Sequence, residues 1–203
     1  MKSAVHLTIE FESPLHHGNG DGVAGILDRA FSRDLNGVPF LSASAIKGKL
    51  RFGALRWLRS TSPTELCWKP DEEDKPCRDK PCQWCQLFGS PRRQGKAIFS
   101  DAFPKDREWF QTLYEQSPTM LLSSPAQIKS TTAISRKLQL AEPHHLFSTE
   151  TMPAFLSFHA EIYGALTGDQ IELLKQSACL LNHFGADSAR GLGFCKYRLE
   201  AQA

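Results

Sequence analysis

Gly185-Ala-Asp-Ser-Ala-Arg-Gly-Leu-Gly193 separates a run of helical apolar spacing from a short strand-like run, and the reading of the whole chain follows from it. On its N-terminal side, Asp169 is expected to cap a helix whose inner face carries Ile171, Leu174, Ala178 and Leu181, with Gly185 just past the end. On its C-terminal side, Gly193 to Glu200 reads as the last strand. Gly185, Gly191 and Gly193 can take φ > 0 and let a backbone approach closely. Successive N–H groups in such a turn form an anion-binding concavity. Ser188 and Arg190 would add a hydroxyl and a planar donor fork suited to phosphate. The same composition also serves a plain helix-to-strand turn.

Working outward, Phe155 to Gly164 alternates, with Leu156, Phe158, Ala160 and Ile162 on one face. Ala4 to Glu12 alternates in the same way, with Val5, Leu7, Ile9 and Phe11 opposite His6, Thr8 and Glu10. Ser42 or Ser44 caps a helix whose stripe is Ile46, Leu50, Ala54, Trp57 and Leu58. Lys96 to Phe103 reads as a further strand, and Arg107 to Tyr114 as a short helix. The order strand, helix, strand, strand, helix, strand is that of an α+β, ferredoxin-like (RNA-recognition-like) βαββαβ core. Long insertions follow the first strand and the first helix and precede the third strand. Neither a repeat nor a low-complexity linker divides residues 1–203, so one domain is expected.

A net charge of +2 excludes a uniformly basic coat, so a polyanion would have to meet a local basic surface. The start Met-Lys-Ser-Ala-Val-His lacks an apolar leader, and no apolar run approaches membrane-spanning length. A cytoplasmic protein without a membrane partner is expected, and its six cysteines then read as thiols or metal ligands.

The first helix offers a second phosphate seat: Ser44, free N–H groups and Lys47, with Lys49 and Arg51 farther along. A solvated basic face would have the same composition. His16 and His17, in a glycine-rich loop, have the titration range of an acid–base pair, and equally suit a hydrogen-bonded loop. Asn36-Gly37 marks a tight turn after a loop carrying Asp28, Arg29, Arg33 and Asp34. Residues 60–94 contain Cys67, Cys77, Cys82 and Cys85 spaced C-x9-C-x4-C-x2-C. Four thiolates close a tetrahedral zinc site, and a metal would supply the folding energy of an insert with little apolar content. Residues 127–150 interleave Lys129, Arg136 and Lys137 with Ile134, His144, His145, Leu146 and Phe147. That mixture suits a single-stranded nucleic acid, whose backbone needs charge and whose bases need stacking surfaces. An exposed hairpin with ordinary surface charge would carry it too.

Several of these pieces together resemble one family. They are Gly25-Ile-Leu-Asp-Arg-Ala-Phe-Ser-Arg-Asp34, Val38-Pro-Phe-Leu-Ser-Ala-Ser-Ala-Ile-Lys-Gly-Lys-Leu-Arg51, Cys85-Gln-Leu-Phe-Gly89, Thr132-Ala-Ile-Ser-Arg136 and the turn at residues 185–193. In this order they resemble the RAMP-superfamily backbone subunits of type III CRISPR effector complexes. The resemblance implies a subunit that lines up side by side with other effector subunits along a guide RNA. Guide phosphates would lie on Ser44, Lys47, Lys49 and Arg51 and on Gly185, Ser188, Arg190, Gly191 and Gly193. Residues 127–150 would be a thumb hairpin, with Ile134 and Arg136 near its start, that splays the guide–target duplex. Asp28 precedes Arg33-Asp34 by five residues, the spacing of the target-cleaving members, which implies that Asp28 cuts complementary target RNA with Mg²⁺ or another divalent ion. Two alternatives stay open: a scaffold that binds without cutting, and a guide-processing endoribonuclease using His16 or His17.

Overall fold

The computed structural model describes residues 3–18, 20, 22, 27–62, 66, 81–91, 93–116 and 126–201. In chain order its elements are β1 (Ser3–Phe11), α1 (Ala43–Thr61), α2 (Gln83–Phe88), β2 (Ile98–Phe99), β3 (Phe103–Pro104), α3 (Arg107–Gln116), β4 (Gln127–Ile134), β5 (Ala141–Thr151), β6 (Ser157–Gly164), α4 (Gly168–Cys179) and β7 (Cys195–Ala201).

Alternation places Val5, Leu7, Ile9 and Phe11 of β1 and Phe158, Ala160 and Ile162 of β6 on one buried face. β1 pairs antiparallel with β6 (Val5 opposite Ile162) and with β7 (Ile9 opposite Tyr197). The sheet order is β2-β6-β1-β7, with β3 also on β6. α1 therefore carries the chain from β1 past β6 to β2, and α4 carries it from β6 past β1 to β7. This is the ferredoxin-like arrangement that the element order predicts. α1 and α4 lie over the apolar face, contributing Ile46, Leu50, Ala54, Leu173, Leu174 and Ala178 to the core. They touch each other where the buried Ser177 hydroxyl donates to the Leu50 carbonyl at 2.6 Å. On the opposite face, Arg198 pairs with Glu10 at 3.1 Å and Lys196 pairs with Glu12, so charges there are matched across strands.

Three local expectations are corrected. Lys96 to Phe103 is not one strand. β2 and β3 meet β6 in registers that differ by one residue, and Ser100–Ala102 bulges between them. The bulge sends Ala102 to pair with Leu41 and the Asp101 carboxylate to the start of α1. The cap of α4 is Thr167, not Asp169: Thr167 and Gln170 form a reciprocal capping box, and the helix stops at Cys179, well short of Gly185. The cysteine-bearing insert, expected to have little apolar content to bury, places Trp84, Cys85, Leu87 and Phe88 of α2 in the core. Among the described residues no helix is long and apolar enough to cross a membrane.

Candidate nucleic-acid interface

The loop that carries Asp28 is fastened to β5. The Arg29 carbonyl accepts from Glu150 N at 2.9 Å, and the Phe31 amide donates to Glu150 Oε2 at 2.7 Å. Arg33 pairs with Glu150 Oε1, and Glu150 is 1% exposed. Asp34 Oδ1 accepts from Asn36 N and Val38 N, both at 2.9 Å, closing the turn that Asn36-Gly37 predicts. Arg33 and Asp34 are thus loop fasteners. Asp28 itself is exposed. Its Oδ2 accepts from the Ser148 amide at 2.6 Å and the Ser148 hydroxyl at 2.9 Å. The Ser148 amide, and then its hydroxyl, hold the Asp28 carboxyl below the usual aspartate range. Asp28 is therefore a fixed anion at neutral pH.

Cations gather beside it. Arg29 Nη1 and Arg190 Nη1 each lie 3.5 Å from an oxygen of Asp187, and Lys129 Nζ lies 3.5 Å from the Arg190 carbonyl. Asp187, which would repel a phosphate if it pointed outward alone, is matched by two guanidinium groups. These are exposed ion pairs and contribute little stability, but they set where the cations sit.

The glycine-rich turn is built differently from an open nest. The amides of Arg190, Gly191 and Leu192 are committed to carbonyls within the turn, at Asp187 and Ser188. Ala186 N donates to the His16 carbonyl at 3.0 Å and Gly193 N to the Pro14 carbonyl at 2.7 Å. At Gly193, φ is +75° and a Cβ would come within 1.9 Å of the Phe184 carbonyl oxygen, so only glycine fits. Gly185 and Gly193 are accounted for by backbone packing onto residues 14–16. Any attraction for an anion here comes from side chains, Arg190 first, instead of from a row of amides.

At the start of α1, Asp101 Oδ1 takes the Ala43 amide at 2.7 Å. The Ser42 amide donates to His17 Nε2 at 3.1 Å, and Ser42 makes no side-chain cap. Part of the expected phosphate seat is filled by the protein's own carboxylate. Of the four α1 candidates, Lys49 lines a cleft of about 410 Å³ with His16, His17, Gly18, Gly48 and Gly185. At 3.6 residues per turn, Ser44, Lys47 and Arg51 fall on the side of α1 away from Lys49. Arg51 lies over the Trp84 ring at 4.3 Å, and its carbonyl accepts from the Trp84 indole. Burial holds the His17 ring below its ordinary pKa, His16 adds to the lowering and Asp101 opposes it.

β4 and β5 form a separate two-stranded ribbon, Gln127 opposite Thr151 through Thr132 opposite Leu146, with a register shift before Ile134 opposite Ala141. Its root is buried at Thr149–Thr151, while Ile134, Leu138, Leu140 and Leu146 are 64–69% exposed toward its end. Arg136 sits in the terminal turn. Asp28 is therefore bonded to the ribbon just above its buried root. The sequence places Asp28 and Ser148 far apart and offers no local signal for Ser148, Glu150 or Asp101.

Cys82 is the N-cap of α2 and Cys85 lies one turn in. Cys67 and Cys77 lie outside the described residues. Among the described residues no group of three or more histidine, cysteine or acidic side chains is placed to hold a metal.

The sequence matches the RAMP superfamily over residues 8–196, and no curated protein matches it. Among solved structures, one described as the apo state of type III-B Cmr-beta is similar at a TM-score of 0.66 and 13% identity, covering 97% of this chain and 96% of that one. Another, described as type III-B Cmr-beta bound to cognate target RNA, is similar at a TM-score of 0.65 and 17% identity, covering 98% of this chain and 60% of that one. These likenesses agree with the strand order and the crossing helices. The match across nearly the whole sequence makes the chain a member of the RAMP superfamily.

Proposed function

We propose that the chain is a guide-RNA-binding backbone subunit of a type III CRISPR ribonucleoprotein that also cleaves complementary target RNA. One observation carries this reading: Asp28, an ionised carboxylate, is fixed by Ser148 on the exposed ribbon, beside the Arg29–Asp187–Arg190 cluster. The similar solved structure described as bound to cognate target RNA supports it. The apolar side chains of the ribbon wedge between bases and bend the strand. Arg190, Arg29 and Lys129 hold the phosphate beside the bend. The RNA brings its own nucleophile, the 2′-hydroxyl, so the protein's task is in-line placement and charge stabilisation. With its carboxyl held in the anionic form, Asp28 is a weak base at pH 7 and suits the anchoring of a hydrated divalent ion. Its Oδ1 would hold Mg²⁺, which would stabilise charge developing on the cleaved phosphate. Cys67, Cys77, Cys82 and Cys85 would hold a structural Zn²⁺ that folds the insert.

A scaffold that binds without cutting is favoured by a different observation, the pair of hydrogen bonds that Ser148 donates to Asp28 Oδ2, which suits a structural fastener. Asp28→Asn separates the two. The amide oxygen still accepts from Ser148, but the charge is gone. In a reconstituted assembly with Mg²⁺, Asp28→Asn should lower target cleavage by about 100-fold or more with target binding unchanged. Cleavage at the wild-type rate in Asp28→Asn would leave only the scaffold. Absence of guide-RNA binding in the wild-type assembly would remove both. Metal analysis of the reduced protein tests the zinc assignment, with one equivalent expected.

A further inference from the structure

The cleft beside α1 holds a group that a site for phosphate alone does not explain. His16 is 4% exposed, and its Nδ1 lies 2.7 Å from the Glu150 carbonyl oxygen. A carbonyl only accepts, so Nδ1 carries the proton and donates. In the neutral ring, Nε2 is then a bare lone pair. It has no hydrogen-bond partner among the described residues, yet it is not among buried polar atoms lacking one. It therefore opens onto the cleft that His16 lines with His17, Gly18, Lys49 and Gly185. Gly18 keeps that ring edge uncovered: a Cβ there would stand 3.1 Å from both Cε1 and Nε2.

The donors in this cleft and the His16 acceptor call for different parts of a ligand. Lys49 is a cation that matches a phosphate oxygen. His17 Nε2 accepts from Ser42 N, which leaves the His17 proton on Nδ1 as a further donor. A phosphate diester only accepts, and it cannot satisfy His16 Nε2. A hydroxyl next to a phosphate can. We propose that His16 Nε2 accepts a hydrogen bond from a ribose 2′-hydroxyl while Lys49 holds the adjoining phosphate, so that this cleft distinguishes RNA from DNA. The inference rests on the RNA-binding reading above and names the residue through which the sugar is read. The 2′-hydroxyl is the group that separates the two nucleic acids at any one contact, and the backbone carbonyl of Glu150, a residue whose carboxylate is held by Arg33 and the Phe31 amide, fixes the ring that meets it.

The test compares single-stranded oligonucleotides of one sequence as RNA, 2′-fluoro RNA and DNA, at pH 8, against the assembled wild-type protein and His16→Asn. The asparagine amide can replace Nδ1 against Glu150 and has nothing at the Nε2 position. A 2′-fluoro group keeps the RNA-like sugar and cannot donate. Wild type should bind RNA about two- to tenfold more tightly than 2′-fluoro RNA, the range of one neutral hydrogen bond. His16→Asn should bring RNA down to the 2′-fluoro value and leave the latter unmoved. Equal affinity of wild type for RNA and 2′-fluoro RNA overturns the inference, as does an unchanged ratio in His16→Asn. If His16→Asn does not fold, ¹⁵N-labelled wild type decides: the His16 Nε2 resonance should move with RNA and stay with 2′-fluoro RNA, and no movement with RNA overturns it. Equal binding of all three oligonucleotides removes this inference alone, whereas binding of none removes the RNA-binding reading with it.

Discussion

Val5, Leu7 and Ile9 of β1 expose no surface, whereas Leu146 on β5 is 69% exposed and Ile134 on β4 is 64% exposed. Both regions are antiparallel strands bearing β-branched and leucine side chains. β1 has α1 and α4 over its apolar face, but among the described residues the outer ribbon has neither helix nor second sheet against it. Burial of a leucine or isoleucine stabilises by about 1.5–3 kcal/mol relative to exposure, so β1 gains from folding what the outer ribbon does not. Apolar side chains that give the folded chain so little are free to serve contact with another molecule. The ribbon turns from exposed to buried at Thr149–Thr151, and there Glu150 fastens the Asp28 loop.

The largest effect that can break this contrast is in the core. Phe158→Ala should destabilise by about 3–5 kcal/mol in denaturant melts. Leu146→Ala should move stability by no more than about 0.5 kcal/mol while weakening the association with guide–target RNA. Equal losses at the two sites would mean that the ribbon is part of the core. A somewhat smaller effect is expected where the regions join. Glu150→Ala leaves Arg33 without its carboxylate and Phe31 N without its acceptor. Removing one partner of a buried pair costs about 3–5 kcal/mol, and the partial exposure of Arg33 puts the expectation near 3 kcal/mol. The same variant should loosen the Asp28 loop, read as faster amide exchange at Phe31.

The smallest effect is that of pH on Asp28. Its folded pKa is depressed below the ordinary aspartate value by the Ser148 hydrogen bonds, so its fastening to Ser148 is fully present above that ordinary value and is lost only as pH falls through the lower folded value. NMR titration of the Asp28 carboxyl should give a midpoint below that of an ordinary aspartate, and cleavage should be indifferent to this group from pH 7 down to about pH 5. A midpoint above the ordinary aspartate value would mean that Ser148 is not its partner in solution.

The parts of this molecule that could be read from sequence are those with short-range causes. Alternation in β1 and β6, the helical stripe of α1, the Asn36-Gly37 turn and the mixed cationic and apolar ribbon depend on neighbours within a few residues. Even so, Asp169 is the more conspicuous cap in sequence, although Thr167-x-x-Gln170 has capping-box spacing and forms the cap. What could not be read depends on distant partners. The amides of the glycine-rich turn look free in sequence, yet Pro14 and His16 take two of them. Asp101 looks like a strand residue, but a one-residue bulge turns it toward Ala43. Helical spacing alone sets Lys49 and Lys47 on different faces of α1, but which face lines the cleft depends on tertiary packing. The spacing to Arg33-Asp34 singles out Asp28 as a candidate, but its fastening by Ser148 follows from tertiary pairing alone.

The interruption at Ser100–Ala102 has a further consequence. Strand pieces two residues long, set one residue out of step, present no continuous row of amides and carbonyls along that margin of the sheet. A chain arriving there finds no template to extend. Lateral growth from that flank must proceed through side chains, which can be selective about what they meet.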